Sequence, residues 1–79
     1  MNETTFSIVR QTAADIFGVP SINLTEQSSP EVVENWDSLQ HLHFVMALES
    51  KFGISLSPED MEQIRSLADA VRVVERRKP

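Results

Sequence analysis

Asp37, Ser38 and His41 fall within one helical turn of each other, and carboxylate, hydroxyl and imidazole are the groups of a serine hydrolase. Their order argues against that reaction. A triad holds the imidazole between acid and nucleophile, one nitrogen facing each, whereas Asp37 and Ser38 are chain neighbours and approach His41 from the same end. His41 and His43 are two residues apart, a spacing that does not bring side chains together on a helix, so no shared metal is expected. Glu59, Asp60 and Glu62 lack the spacing of a calcium loop. Ser38 remains as a substrate for another enzyme. A phosphodiester on a first-turn serine would be stabilised by the exposed amide donors and the helix dipole. The feature alone leaves open whether Ser38 is simply a tolerated first-turn residue.

Composition narrows the chemistry further. A chain of 79 residues buries only roughly two thirds of its unfolded surface, so one domain with a small core is expected, spanning 1–79. With 41% hydrophobic and 24% charged residues it has the make-up of an ordinary globular domain. The net charge of -5 is uneven: residues 1–60 hold nine acids against two bases, and residues 61–79 three against five. Such a surface repels nucleic acid and suits basic patches on other proteins. Arg76, Arg77 and Lys78 suit the negative end of a helix dipole. The chain has no cysteine, so any sulfur chemistry must be imported. No apolar run approaches a membrane span, and the N-terminus lacks a secretory pattern, so a cytoplasmic protein that does not engage membranes is expected.

The elements that must position Ser38 read as helices. Phe6, Val9, Ala13, Ile16 and Phe17 recur at helical spacing, with Gly18 and Pro20 ending a first helix over roughly 4–17. Residues 18–36 lack sustained periodicity and form a long first loop, which Val19, Ile22, Leu24, Val32 and Val33 are expected to pack. Asp37 stands at an N-cap with Gln40 as its capping-box partner, which makes Ser38 the first residue of a second helix running to Phe52 before Gly53. Ser57-Pro58-Glu59-Asp60 opens a short third helix that ends near Ile64. Ser66 caps a fourth, whose stripe is Leu67, Ala70, Val71 and Val74. The expected fold class is all-α, a four-helix bundle with a short third helix.

The second helix divides into three faces at about 100° per residue. Phe44, Val45, Leu48 and Phe52, with His41 beside them, form the core stripe. Gln40, His43, Ser50 and Lys51 form a wet sector around Ala47. The third face carries Ser38, Leu39, Leu42, Met46 and Glu49. Its apolar members either widen the buried face or stay exposed to receive a partner.

The motif Asp37-Ser38-Leu39, followed by Leu42, by Val45-Met46-Ala47-Leu48-Glu49 and by Phe52, resembles the acyl carrier proteins. The likeness runs on through Leu56, Ile64, Leu67, Ala70, Val71 and Val74. It implies that a phosphopantetheinyl transferase attaches 4'-phosphopantetheine to Ser38, with Asp37 part of the modification motif. The thiol of that arm would carry acyl groups as thioesters between acyl-loading and acyl-using enzymes, and the chain would perform no catalysis. The resemblance also implies docking on the second helix through Leu39, Leu42, Met46 and Glu49, and cargo lying near Phe44, Leu48, Leu56, Ile64 and Leu67.

Two departures bear on the pathway. Carriers of primary fatty acid synthesis have a strongly acidic second helix, whereas residues 38–53 here hold only Glu49, balanced by Lys51, with His43 and Ser50 where acids are common. A dedicated secondary or modification pathway is therefore expected. Trp36 stands where small residues are usual, either packing the loop onto the bundle or marking a partner contact. A freestanding monomer suits a chain that starts at Met1 and finishes soon after the fourth helix. The alternatives are an aminoacyl or peptidyl carrier loaded by an adenylating enzyme, and a helical interaction module with no prosthetic group.

Overall fold

Caps and glycines delimit the helices. The computed structural model describes residues 3–78, apart from the side chain of Glu3; the ends of the expected domain, Met1, Asn2 and Pro79, lie outside the described residues. Among the described residues four α-helices form and no strand: α1 (Glu3–Phe17), α2 (Ser38–Phe52), α3 (Pro58–Gln63) and α4 (Leu67–Arg77). Asp37 caps α2 by accepting from the Gln40 amide at 2.9 Å. Gly53 ends α2 with φ 63°, in the left-handed region that a residue without Cβ enters most readily. Ser57 and Asp60 form a complete capping box on α3, and Ser66 caps α4 through the Asp69 amide.

The expected capping box on α2 is only half made. Gln40 does not return to the Asp37 amide. Its Nε2 donates to the Ile16 carbonyl at 3.1 Å, and its Oε1 accepts from His43 Nδ1 at 2.8 Å, so this half-buried side chain ties α2 to the end of α1. The freed carbonyls at a helix C-terminus offer it a better acceptor than solvent does.

α1 packs against both α2 and α4, and α3 lies on α4. Val9, Ala13, Phe44, Leu48, Leu67, Ala70, Val71 and Val74 are wholly enclosed, and Phe17 and Val45 nearly so. Phe52 departs from the expected core stripe: it is half-buried, with the Lys78 ammonium 5.7 Å from its ring centroid. It stands in the last turn of α2, where the helix runs past the densest part of the core.

The long loop is anchored at several points rather than packed throughout. Asn35 Nδ2 donates to the Phe17 carbonyl at 2.8 Å. The Ser28 and Glu26 carbonyls accept from the first amides of α4, Leu67 and Ala68, at 3.1 and 2.9 Å. A single 3-10 turn at Ser21–Asn23, not apparent in the sequence pattern, follows Pro20. Leu24 and Val33 are buried as expected, but Ile22 and Val32 are 85% and 73% exposed and take no part in packing. The Asn35 side-chain bond to α1 and backbone hydrogen bonds to α4 do the work expected of those two side chains.

Candidate functional site: a groove beside Ser38

Ser38 is exposed, and the cap at Asp37 fixes it as the first residue of α2. Asp37 satisfies the Gln40 amide through its side chain and the His41 amide through its carbonyl at 2.8 Å. The amides of Ser38 and Leu39 precede the first intrahelical bond, so they remain available beside the hydroxyl. The hydroxyl opens onto a groove of about 660 Å³ between the start of α2 and α3. Trp36, His41, Met61 and Ile64 provide its apolar wall and floor, and Glu31, Glu62 and Arg65 border it with charge. The Ser29 hydroxyl beside Glu31 holds that carboxyl below its ordinary value, so it is charged near neutrality.

His41 bridges this groove. The Trp36 indole Nε1 donates to His41 Nδ1 at 2.9 Å, and His41 Nε2 lies 3.0 Å from the Met61 carbonyl. An indole only donates and a carbonyl only accepts, so Nδ1 is the acceptor and Nε2 carries the proton. With both nitrogens engaged, the imidazole serves neither as a base for Ser38 nor as a metal ligand. Among the described residues no group of three or more His, Cys, Asp or Glu side chains is placed to hold a metal. Trp36 is 3% exposed and stacks on Phe17 at 4.8 Å, with Phe44 edge-on at 5.7 Å. It packs the loop onto the bundle rather than facing a partner.

Beyond Ser38 the outward face of α2 is apolar. Leu39, Leu42 and Met46 are 62%, 42% and 55% exposed. Glu49 borders them but is half-buried, and its Oε2 accepts from the Leu56 amide at 2.9 Å. Its charge therefore holds the segment between α2 and α3. Of the residues expected near a cargo, Ile64 borders the groove, whereas Phe44, Leu48 and Leu67 are fully enclosed and do not line it, and Leu56 is half-buried outside it. The link from His41 to Met61 escapes sequence reasoning, because a hydrogen bond from the second helix to a carbonyl of the third has no spacing signature, whereas the packing of Trp36 onto the bundle is one of the two roles expected of it. A tryptophan two residues before the serine is the one visible hint.

This geometry defines a small helical bundle that presents an exposed serine hydroxyl on a helix start beside an apolar groove. The family described as "Phosphopantetheine attachment site" matches residues 7–74. An acyl carrier protein of Chlamydia muridarum is 33% identical over 69 residues, covering 87% of this chain and 90% of that protein. One of Solidesulfovibrio magneticus is 40% identical over 42 residues, 53% of this chain and 54% of the other. In fold, the chain is similar to the holo acyl carrier protein of Geobacter metallireducens, with TM-score 0.82, 23% identity and coverage of 92% and 84% of the two chains. It is also similar to the apo doublet acyl carrier protein of prodigiosin biosynthesis, with TM-score 0.81 and 24% identity, covering 96% of this chain and 37% of that one.

The chain belongs to the phosphopantetheine attachment-site family, as an acyl carrier protein. It is a carrier and not a catalyst, and its prosthetic group is a covalently attached 4'-phosphopantetheine. The residues present fit that group: an exposed first-turn hydroxyl, two free amides beside it, and an apolar groove leading away. Its partners are, in general terms, phosphopantetheinyl transferases and enzymes that handle acyl groups. Among the described residues no helix is long and apolar enough to cross a membrane.

Proposed function

We propose that Ser38 is the attachment residue and that the chain, as a single domain over 1–79, carries acyl intermediates for a dedicated secondary or modification pathway. The exposure of Ser38 at the capped start of α2, on the edge of the groove, carries this reading. In the attachment step the Ser38 oxygen would bond to the phosphorus of coenzyme A nearer the pantetheine. The pyrophosphate P–O bond would break, adenosine 3',5'-bisphosphate would leave, and the serine proton would pass to a base on the transferase. Asp37 positions the hydroxyl by capping α2, and the Ser38 and Leu39 amides face the phosphodiester that results. When attached, the group supplies the thiol on which acyl groups are carried. Leu39, Leu42 and Met46 form the docking face, with Glu49 at its border; the protein acts as a monomer in the cytoplasm, where coenzyme A is at hand.

The dedicated pathway is supported by α2 itself. Its two charged residues are Glu49, committed to Leu56, and Lys51, so a basic docking patch finds little to attract it. Two measurements test the proposal. Incubation with coenzyme A and a broad transferase should raise the intact mass by one phosphopantetheine, and Ser38→Ala should abolish the gain; a gain that survives the substitution removes Ser38 as the site. Primary fatty acid synthase enzymes should turn the loaded protein over poorly. Turnover equal to that of an acidic-helix carrier would sink the pathway assignment.

A further inference from the structure

We propose that Asn35 and Gln40 are positioning residues for the attachment reaction, a pair of amide side chains that bracket Ser38 and fasten it to the end of α1. The inference rests on the reading above that Ser38 takes the arm. Asn35 stands three residues before the serine, and its Nδ2 donates to the Phe17 carbonyl at 2.8 Å. Gln40 stands two residues after it, and its Nε2 donates to the Ile16 carbonyl at 3.1 Å. A carbonyl only accepts, so in each case the amide nitrogen is the end that faces α1. Ile16 and Phe17 are the last two residues of α1, where carbonyls find no partner in the helix's own ladder. The Gly18 and Val19 amides both turn back to the Ala14 carbonyl, at 2.9 and 3.2 Å, which leaves those two acceptors to the side chains. Adjacent carbonyls thus hold both flanks of the serine.

The serine needs such a hold because of where it lies. Helix ends fray, and the Ser38 and Leu39 amides precede the first bond within α2. The Asp37 cap fixes the Gln40 amide and so the shape of the first turn, but cap and serine are free to shift together relative to the bundle. Trp36, stacked on the Phe17 ring at 4.8 Å, opposes lifting of the segment more than sliding, because stacked rings tolerate a range of offsets. Hydrogen bonds constrain distance and direction at once. Transfer requires the Ser38 oxygen in line with the phosphorus it attacks, and a displacement of about 1 Å from such a geometry costs about 100-fold in rate. Both bonds run to α1 and not to the exposed row of Leu39, Leu42 and Met46, so their loss affects the rate of transfer rather than docking.

Single-turnover transfer from coenzyme A, with a broad transferase in excess over the unmodified protein and the product followed by intact mass, tests the bracket. Gln40→Met and Asn35→Leu keep size and neutrality but lose the donor. Each should slow the saturated rate by about tenfold, while the half-saturating transferase concentration stays within about twofold of wild type. The double variant should be slower than either. Gln40→Lys, which restores a donor of similar reach, should retain the wild-type rate. Thermal melts identify the variants that are folded at the assay temperature, where a merely structural contribution leaves the rate unchanged; Gln40→Ala and Asn35→Ala replace any that is not. Wild-type rates in both single variants overturn the proposal, as does a change confined to half-saturation, or a Gln40→Lys protein as slow as Gln40→Met. A wild-type chain that gains no mass, or a gain that survives Ser38→Ala, would instead overturn the attachment reading, and the bracket with it.

Discussion

Asp60 illustrates how a residue's role depends on partners that its neighbours in sequence do not reveal. It closes the capping box of α3, yet its carboxylate is only 2% exposed. Arg77 donates to it through Nε at 2.8 Å and Nη2 at 3.1 Å, Arg76 through Nη2 at 2.9 Å, and Ser57 through its amide at 3.1 Å. The Arg77 guanidinium first, and then the Ser57 amide, hold the Asp60 carboxyl far below the usual carboxylate range. A carboxyl depressed by folding contributes stability above its unfolded value and loses it as pH falls toward the folded one. Asp60→Asn should therefore cost about 1–3 kcal/mol at pH 7, limited by the half-exposed arginines, and the gap from wild type should narrow below about pH 4. Thermal melts of both proteins from pH 7 downward check it; a gap that stays constant refutes the linkage. Packing separates two residues of α2 in the same way. Leu48→Ala, at a fully enclosed position, should cost about 2–5 kcal/mol in denaturant melts. Phe52→Ala, half-buried, should cost about 1–2 kcal/mol.

At the scale of elements, Gly53 is where local sequence and structure agree most closely. Its φ of 63° stops α2, and a Cβ there would meet nothing within 4 Å. Gly53→Ala should thus cost about 1–2 kcal/mol from backbone conformation alone, and Gly53→Asn less. Equal stability of all three in denaturant melts would show that α2 ends for another reason. The helices were readable from sequence because caps, prolines and glycines act over three or four residues: Asp37, Ser57, Ser66 and Gly53 each set a boundary through the nearest turn. Residues 18–36 were not readable in the same way. Their order comes from contacts remote in sequence, such as Asn35 with Phe17 and Ser28 with Leu67, and Ile22 and Val32 show that apolar character there does not predict burial. The exposed serine was legible for the same local reason as the helix it opens. Its groove was not, since the groove depends on where α3 comes to rest and on a single imidazole that spans the gap.

For the molecule as a whole, the charge lies mostly outside α2. The net charge is -5, but α2 offers an apolar row of Leu39, Leu42 and Met46 beside one acid already engaged within the chain. On the proposed reading, apolar burial holds a partner while the wider acidic surface steers its approach. Salt separates the two, because it screens charge beyond about 10 Å at 0.1 M and leaves apolar contact largely intact. Leu42→Ala should weaken binding to a cognate acyl-handling enzyme by about tenfold, with the same factor at low and high salt. His43→Glu combined with Ser50→Glu should act in the opposite sense on a basic-patched enzyme of primary fatty acid synthesis. Both positions are exposed on α2, and two added acids should improve kcat/KM there by about tenfold at low salt, a gain that fades as salt rises. Titrating both variants against both enzymes across ionic strength distinguishes the contributions. A Leu42→Ala loss that disappears in high salt would mean that charge, and not the apolar row, holds the complex together.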